Sequence, residues 1–197
     1  MNIGAAHNEY SIDKQYMTDY VYRGAWGISM GVVAQYDYCD WFGIRAELNI
    51  TERNYRHTRA ERTERLNALH RNSYLLIPVM GNFSFGNEWL RGFVNLGLYT
   101  GYWMSGSVKG KEYNSFGRTG FEFDEEYDFY SERDCRMDLG YAGGFGLEWW
   151  FAPRWVAQLE TRCHYSVVSS VKQYMEHVKD YRYNTTVGLQ AGVCYLF

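Results

Sequence analysis

The sequence contains no long hydrophobic run. No stretch approaches the roughly 18 consecutive apolar residues that indicate a transmembrane helix, and the mean hydropathy is negative. A membrane-spanning helix is therefore excluded. A membrane-spanning β-strand is not excluded, because it needs only about 9–11 residues, of which every second one is apolar.

Charge and cysteine spacing exclude further classes of protein. The formal net charge is −3, so no strong attraction to nucleic acid is expected. None of the four cysteines, Cys39, Cys135, Cys163 and Cys194, forms a CxxC motif or a metal-ligand spacing. We therefore expect four free thiols, no metal centre and no cofactor.

What the sequence does contain is alternation with a period of two, which is typical of β-strands. In "FGIRAELNIT", apolar residues at the even positions alternate with polar or small residues at the odd ones. Similar alternation recurs along the chain, most weakly in the first segment. It predicts eight strands, at residues 2–10, 24–38, 42–51, 74–85, 94–104, 135–151, 155–167 and 181–197.

The connections between these strands alternate in length. "YCDWF", "FGNEWLR" and "FAPRW" are tight turns, whereas the other connections are long and charged. This arrangement predicts a single domain over 1–197, folded as an eight-stranded antiparallel up-and-down transmembrane β-barrel without exposed edges. The long connections are expected as loops near 11–23, 52–72, 106–133 and 168–180.

Alternation alone leaves open which face of the barrel points inward. A soluble lipocalin-like ligand carrier would turn its apolar face inward, whereas a membrane barrel turns it outward to lipid. Glycines crowd the polar face, which suits a narrow lumen, and all five lysines lie in predicted loops. Both observations favour the membrane barrel.

Aromatic residues cluster at the strand ends beside the short turns. Rings in this position are typical of a membrane–water interface. The predicted aromatic belt consists of Tyr38, Trp41, Phe42, Phe85, Trp89, Trp149, Phe151, Trp155, Tyr195 and Phe197.

Over nearly its whole length the chain resembles the small bacterial outer-membrane β-barrel family that includes PorT-like proteins, with barrels the size of OmpA and OmpX. The resemblance is carried by "YLLIPV", by the Gly-rich "DLGYAGGFGLEWWF" and by the terminal aromatic residue. The chain departs from the pattern at Leu76, where a polar residue is common. The resemblance implies an outer-membrane location, a terminal Phe197 read by the barrel-assembly machinery, and, as an alternative function, a subunit of a secretion or envelope machine.

The polar face carries charges that a narrow lumen would bury. Buried charges are costly unless they are paired, so we expect a lumen network that plugs the barrel. Its predicted members are Arg45, Glu47, Glu148, Gln158, Glu160, Arg162 and Gln190.

Two catalytic interpretations compete with this plug. Glu148 and Glu160 could act as paired carboxylates, and His164 lies beside Glu160 and Ser166 on one strand face. A filled lumen offers no pocket for the first, and no nucleophile elbow accompanies the second. We therefore expect no enzyme.

Two charged connections are the candidate contact surfaces. The Arg-rich "ERNYRHTRAERTERLNALHRN" could bind lipopolysaccharide phosphates through Arg56, Arg59, Arg62 and Arg65, or simply extend two strands into solvent. The acidic "EFDEEYDFYSERD" could hold Ca²⁺, but its spacing is no EF-hand. The leading expectation is a non-enzymatic surface-binding or structural protein whose partners are outer-membrane lipid, lipopolysaccharide and envelope proteins, with no nucleic acid.

Overall fold

The structure, a computed structural model, describes residues 1–14, 20–60, 64–87, 89–114, 120–172 and 180–196. Within these ranges no helix is long and apolar enough to cross a membrane. The ordered elements are ten strands: β1 (Asn2–Lys14), β2 (Tyr20–Cys39), β3 (Phe42–Glu52), β4 (Tyr55–Ala60), β5 (Glu64–Gly86), β6 (Leu90–Asn114), β7 (Gly120–Glu126), β8 (Met137–Ala152), β9 (Trp155–Ser166) and β10 (Asp180–Tyr195).

The strands form a closed antiparallel ring. β3 and β4 follow one another in a single position between β2 and β5, and β7 and β8 both lie along β6. Each of these two pairs therefore makes one wall position, and the ten strands make a ring of eight. β1 pairs with β10 from Asn2↔Gly192 to Lys14↔Asp180, which closes the ring. The predicted fold is confirmed.

The long connections differ from the sequence-based expectation. Much of 52–72 and 106–133, predicted as loops, is strand: β4 with the start of β5, and the end of β6 with β7. β1 and β2 likewise extend into 11–23. Backbone pairing continues there although the regular apolar alternation fades, because the hydrogen bonds between strands do not require an apolar side chain at every second position. The interpretation of the Arg-rich segment as an extension of two strands is the one that the described residues support.

The apolar face of the barrel points outward. Trp26 is 68% exposed, Phe145 65% and Leu189 54%, whereas polar residues at the alternate positions of the strands, such as Glu47, Arg162 and Gln190, are buried inside. An apolar surface of this extent requires lipid around it. The soluble-carrier alternative, which needs this face inside, is wrong.

The predicted aromatic belt lies on the outer wall beside the three short turns, which we call the turn end. Trp41 packs against Phe42 with ring centroids 5.8 Å apart, and Trp155 packs against Tyr195 at 5.0 Å. Phe197 lies outside the described residues. The other predicted members are also largely exposed on this wall: Tyr38, Phe85, Trp89, Trp149 and Phe151.

Two glycines make room for polar side chains in the lumen. A Cβ atom at Gly31 would collide with the Asn49 side chain, and one at Gly144 would collide with the Glu160 carboxylate. The glycines on the polar face of the strands therefore leave the space into which the larger lumen side chains fit.

The same substitution at two neighbouring residues of β10, one facing lipid and one facing the lumen, tests the orientation of the wall. We expect Leu189→Arg to impair folding, because a cation on the lipid side near the middle of such a barrel costs about 2–4 kcal/mol. Gln190→Arg faces the polar lumen and should be the milder change. Heat-modifiable gel mobility of the two variants measures the difference. Full tolerance of Leu189→Arg would contradict a lipid-facing wall.

Candidate functional site in the lumen and on the long strands

Four charged side chains meet in the middle of the lumen, and we call them the central network: Arg45, Glu47, Glu160 and Arg162. The Arg162 guanidinium donates to both Glu47 oxygens at 2.7 and 2.9 Å and to both Glu160 oxygens at 2.6 and 2.8 Å. Arg45 donates to Glu47 at 2.6 Å and lies 3.5 Å from Glu160. All four side chains are almost fully buried, and their charges sum to zero.

The strand period explains why these four residues meet. Residues two apart on a strand share a face, so Arg45 with Glu47 on β3, and Glu160 with Arg162 on β9, point into the lumen from two separate walls. Amides complete the carboxylate shells: Asn49 donates to Glu47 at 2.8 Å and Asn95 donates to Glu160 at 2.9 Å. A buried ion pair needs such additional hydrogen bonds to offset its desolvation.

The other predicted lumen residues are buried but lie apart from the central network. Gln158 donates to Glu148 at 2.8 Å, and Gln190 donates to Ser29 at 3.4 Å. A cavity of about 600 Å³ at the turn end reaches as far as Glu148 and Gln158. The predicted set therefore divides into a closed central group and residues near the floor of this cavity or on the lumen wall.

A second charged layer lies nearer the opposite end of the barrel, which we call the long-strand end. Arg53 forms an ion pair with Asp138, and its guanidinium lies between the rings of Tyr74 and Tyr99, at 5.0 and 5.3 Å from their centroids. Tyr99 and Ser166 both donate to Asp138, at 2.9 and 3.1 Å. This layer was not predicted because Arg53 lies in a segment predicted as a loop, although it continues the odd-numbered lumen positions of β3.

The structure separates the three residues of the second catalytic interpretation, His164, Glu160 and Ser166. Ser166 bonds to Asp138, Glu160 is bound by Arg162, and His164 packs edge-on against Tyr99 at 5.2 Å. No hydrogen bond joins these three residues to one another in the described part of the chain. Glu160 is likewise held in an ion pair, and Glu148 in a hydrogen bond to Gln158, instead of facing each other across a substrate space.

The acidic segment pairs with lysines of the neighbouring strand. Asp124 on β7 accepts from Lys109 on β6 at 2.8 Å, and Glu122 forms an ion pair with Lys111. Within the described ranges no group of three or more His, Cys, Asp and Glu side chains is placed to hold a metal ion.

The candidate arginines of the Arg-rich segment do not share a face. Arg56 is exposed on the outer face of β4, whereas Arg59 shares the inner face with Tyr55 and His57. Arg62 lies outside the described residues. Arg65 is described only by its backbone, which pairs with Ala60 and Tyr113.

Arg56 has basic neighbours from two other strands. Arg23 on β2 is its direct register partner and is also exposed, and Arg71 on β5 lies one diagonal step away. None of the three forms an ion pair with another described residue. We call Arg23, Arg56 and Arg71 the arginine patch. No local sequence signal joins these arginines, because they come from three strands.

Comparison with known proteins identifies the family. The family model described as "Outer membrane protein beta-barrel domain" matches residues 1–172. The chain belongs to this family. It is thus a bacterial outer-membrane barrel, and in such barrels the short turns face the periplasm and the longer connections face outward. The turn end is then periplasmic and the long-strand end extracellular.

The solved structures that match the chain are distant from it in sequence. OprG from Pseudomonas aeruginosa is 11% identical, with 98% of this chain and 93% of that chain covered and a TM-score of 0.53. Ail of Yersinia pestis is 19% identical over 98% and 94% of the two chains, with a TM-score of 0.44. Neisserial surface protein A is 14% identical over 99% and 96%, with a TM-score of 0.46. No curated protein sequence matches the chain. The OprG likeness supports the fold alone.

Truncating one arginine tests whether the side chains of the central network are energetically coupled. We expect Arg162→Ala to destabilise the barrel by about 3–5 kcal/mol, because it leaves buried carboxylates short of a partner. Adding Glu160→Gln should recover part of that loss, and urea unfolding in detergent measures the coupling in a double-mutant cycle.

The control for this cycle is Glu148→Gln, which lies outside the central network and keeps a group that can bond to Gln158. Its effect should be smaller than that of Arg162→Ala, and additive with it. Zero coupling of Arg162 to both Glu47 and Glu160 would refute a connected network.

Proposed function

We propose that this outer-membrane barrel is non-enzymatic, that its lumen is plugged, and that its extracellular strands serve a surface-binding or structural role. The observation that carries the proposal is the neutral central network, in which Arg162 binds carboxylates from two strands at once. Arg162 therefore holds two strands together, and none of the four charges of the central network is free to act on a substrate.

The plug is supported by the way charges are stacked along the barrel axis. An ion crossing the lumen would have to break the bonds between Arg162 and Glu47 and then pass the layer of Arg53 and Asp138. Removing one partner of a buried pair costs several kcal/mol, so both layers oppose opening.

Lipopolysaccharide is the partner that the arginine patch favours. Arg23 and Arg56 are directly opposed on adjacent strands, which is destabilising unless an anion lies between them. The nearest outward-facing apolar residues below them on the same wall are Trp26, Ile28 and Ile50. The patch is thus at the level where the phosphate groups of the outer leaflet meet water, and arginine binds phosphate in a bidentate manner.

A subunit of a secretion or envelope machine, the role that the PorT-like resemblance implies, is the second candidate function. The periplasmic cavity of about 600 Å³ favours it, because its lining includes Trp150 and Asp37, an aromatic and an acidic residue that a periplasmic partner could contact. Recognition of Phe197 by the barrel-assembly machinery would use the same end of the barrel.

Planar-bilayer recording tests the plug. We expect the reconstituted protein to show no steady conductance, because the charged layers obstruct the lumen. An open porin, reconstituted in parallel, shows that insertion is detected. Steady conductance through the unmodified barrel would rule out the plug.

Neutralising the arginine patch tests the lipopolysaccharide proposal. We expect the triple variant Arg23→Gln, Arg56→Gln, Arg71→Gln to lose lipopolysaccharide on purification from native membranes. The loss should be about 1 kcal/mol of binding free energy for each residue near the surface, and high salt should mimic it. The phosphate content of the purified protein measures retention.

The matched control for this triple variant is Lys109→Gln with Lys111→Gln, which removes cations that already have carboxylate partners on the same outer face. It should retain lipopolysaccharide. Phosphate recognition would be contradicted if the unmodified protein retained dephosphorylated lipopolysaccharide as well as it retains the phosphorylated form. Full retention of lipopolysaccharide by the triple variant would contradict it too.

A further inference from the structure

The extracellular mouth of the lumen contains a second cavity, of about 170 Å³. Strands and connections from all around the ring contribute to it, so it lies on the barrel axis, beyond the layer of Arg53 and Asp138. We call it the aromatic cup, because rings dominate its wall: Tyr10, Tyr22, Tyr55, His57, His70 and Trp103.

The rings of the aromatic cup are held in fixed positions by one another. Tyr55 lies between Tyr10 and His70, parallel to both, with centroids 4.2 and 4.5 Å away. Trp103 stacks on Tyr127 at 5.2 Å. Rings that are already packed lose little conformational freedom when a ligand arrives, so a preformed aromatic wall favours binding.

The charges around the aromatic cup are neutralised within the protein. Arg133 donates to Asp134 at 2.9 Å, and Arg182 donates to Asp180 at 3.0 and 2.8 Å. Burial, together with the neighbouring His57 and Arg182, lowers the pKa of His70 to about 4, so its imidazole is uncharged near neutral pH. An ionic ligand would find no free counter-charge here.

Two groups in the wall have no hydrogen-bond partner among the described residues: the hydroxyl of Tyr55 and the ring nitrogens of His70. The hydroxyls of Tyr10 and Tyr127, in contrast, bond to Ser170 at 3.2 Å and to Asp134 at 3.1 Å. A phenol and a neutral imidazole both donate and accept, which is the pattern that a hydroxyl group on a ligand satisfies.

We propose that the aromatic cup binds one neutral sugar residue, with its C–H groups against the surrounding rings and its hydroxyls bonded to Tyr55 and His70. A sugar combines these two surfaces, and its size suits a cavity with room for about five or six water molecules. The site is separate from the arginine patch, and its test does not depend on lipopolysaccharide.

Ligand-observed NMR titration of the full chain in detergent tests this assignment. Three probes are used: free N-acetylglucosamine, chitotriose, whose terminal residue is the same sugar, and glucuronate as the charged analogue. We expect saturable binding of free N-acetylglucosamine, of chitotriose, or of both. Glucuronate should bind more weakly. Binding only of chitotriose would identify a glycan end, rather than a free sugar, as the ligand.

Two conservative variants make the assignment specific to these side chains. Tyr55→Phe and His70→Phe keep the stacked rings and remove only hydrogen-bonding groups, so each should raise the apparent Kd about two- to tenfold, the effect of one neutral hydrogen bond. Tyr38→Phe, the same change in the periplasmic belt, should have no effect, and heat-modifiable mobility verifies folding. Absence of binding by both neutral probes, preference for glucuronate, or binding that survives both cup variants unchanged would overturn the proposal.

Discussion

The contact between Arg162 and Glu47 is the interaction around which the lumen is organised. It joins side chains 115 residues apart in sequence, on β9 and β3, across a barrel too narrow to hydrate them. Once these two charges are buried, the other two charges of the central network and the surrounding amides are needed as well. Each buried carboxylate requires a cation beside it and hydrogen-bond donors for its lone pairs. The glycines opposite Asn49 and Glu160 follow as well, since a larger residue would displace the groups that complete the network.

The same constraint divides the interior into three regions with different chemistry. The central network and the layer of Arg53 and Asp138 separate a periplasmic cavity from the extracellular aromatic cup. Outside, the wall is apolar between the belt and the arginine patch, and charged beyond it. Function is therefore to be sought at the two ends of the barrel, because lipid covers the wall and paired side chains fill the middle.

How much of this could be predicted depends on where the strand period is visible. In β3 and β9 the alternation is regular, so Arg45, Glu47, Glu160 and Arg162 could be assigned to the lumen from the sequence, although their mutual bonds could not. Leu76, which departs from the resembled pattern, is fully buried and packs with Tyr74, Met80 and Tyr99, so an apolar cluster occupies that point of the lumen.

Beyond the apolar wall the period carries less information. There the inner face carries isolated aromatic rings instead of a continuous apolar series, and the backbone pairing that continues β2, β5 and β6 leaves no regular apolar alternation in the sequence. Arg23 and Arg56 illustrate the limit. Each is an unremarkable surface residue in its own segment, and only the register between β2 and β4 places the two side by side. Arg59 is separated from Arg56 by the strand period alone, once this segment is known to be a strand.

The pairing of the first strand with the last has a kinetic consequence. The amine of Met1 donates to the carbonyl of Val193, a contact spanning 192 positions, and the whole β1–β10 seam is of similarly long range. Contacts of this kind form slowly, because most of the chain must be ordered before they can be made. Until β10 arrives, the growing sheet has two open edges that any other strand could pair with. The seam is thus the step at which folding of this barrel is most exposed to error, and the step at which assistance from another protein would accelerate it most.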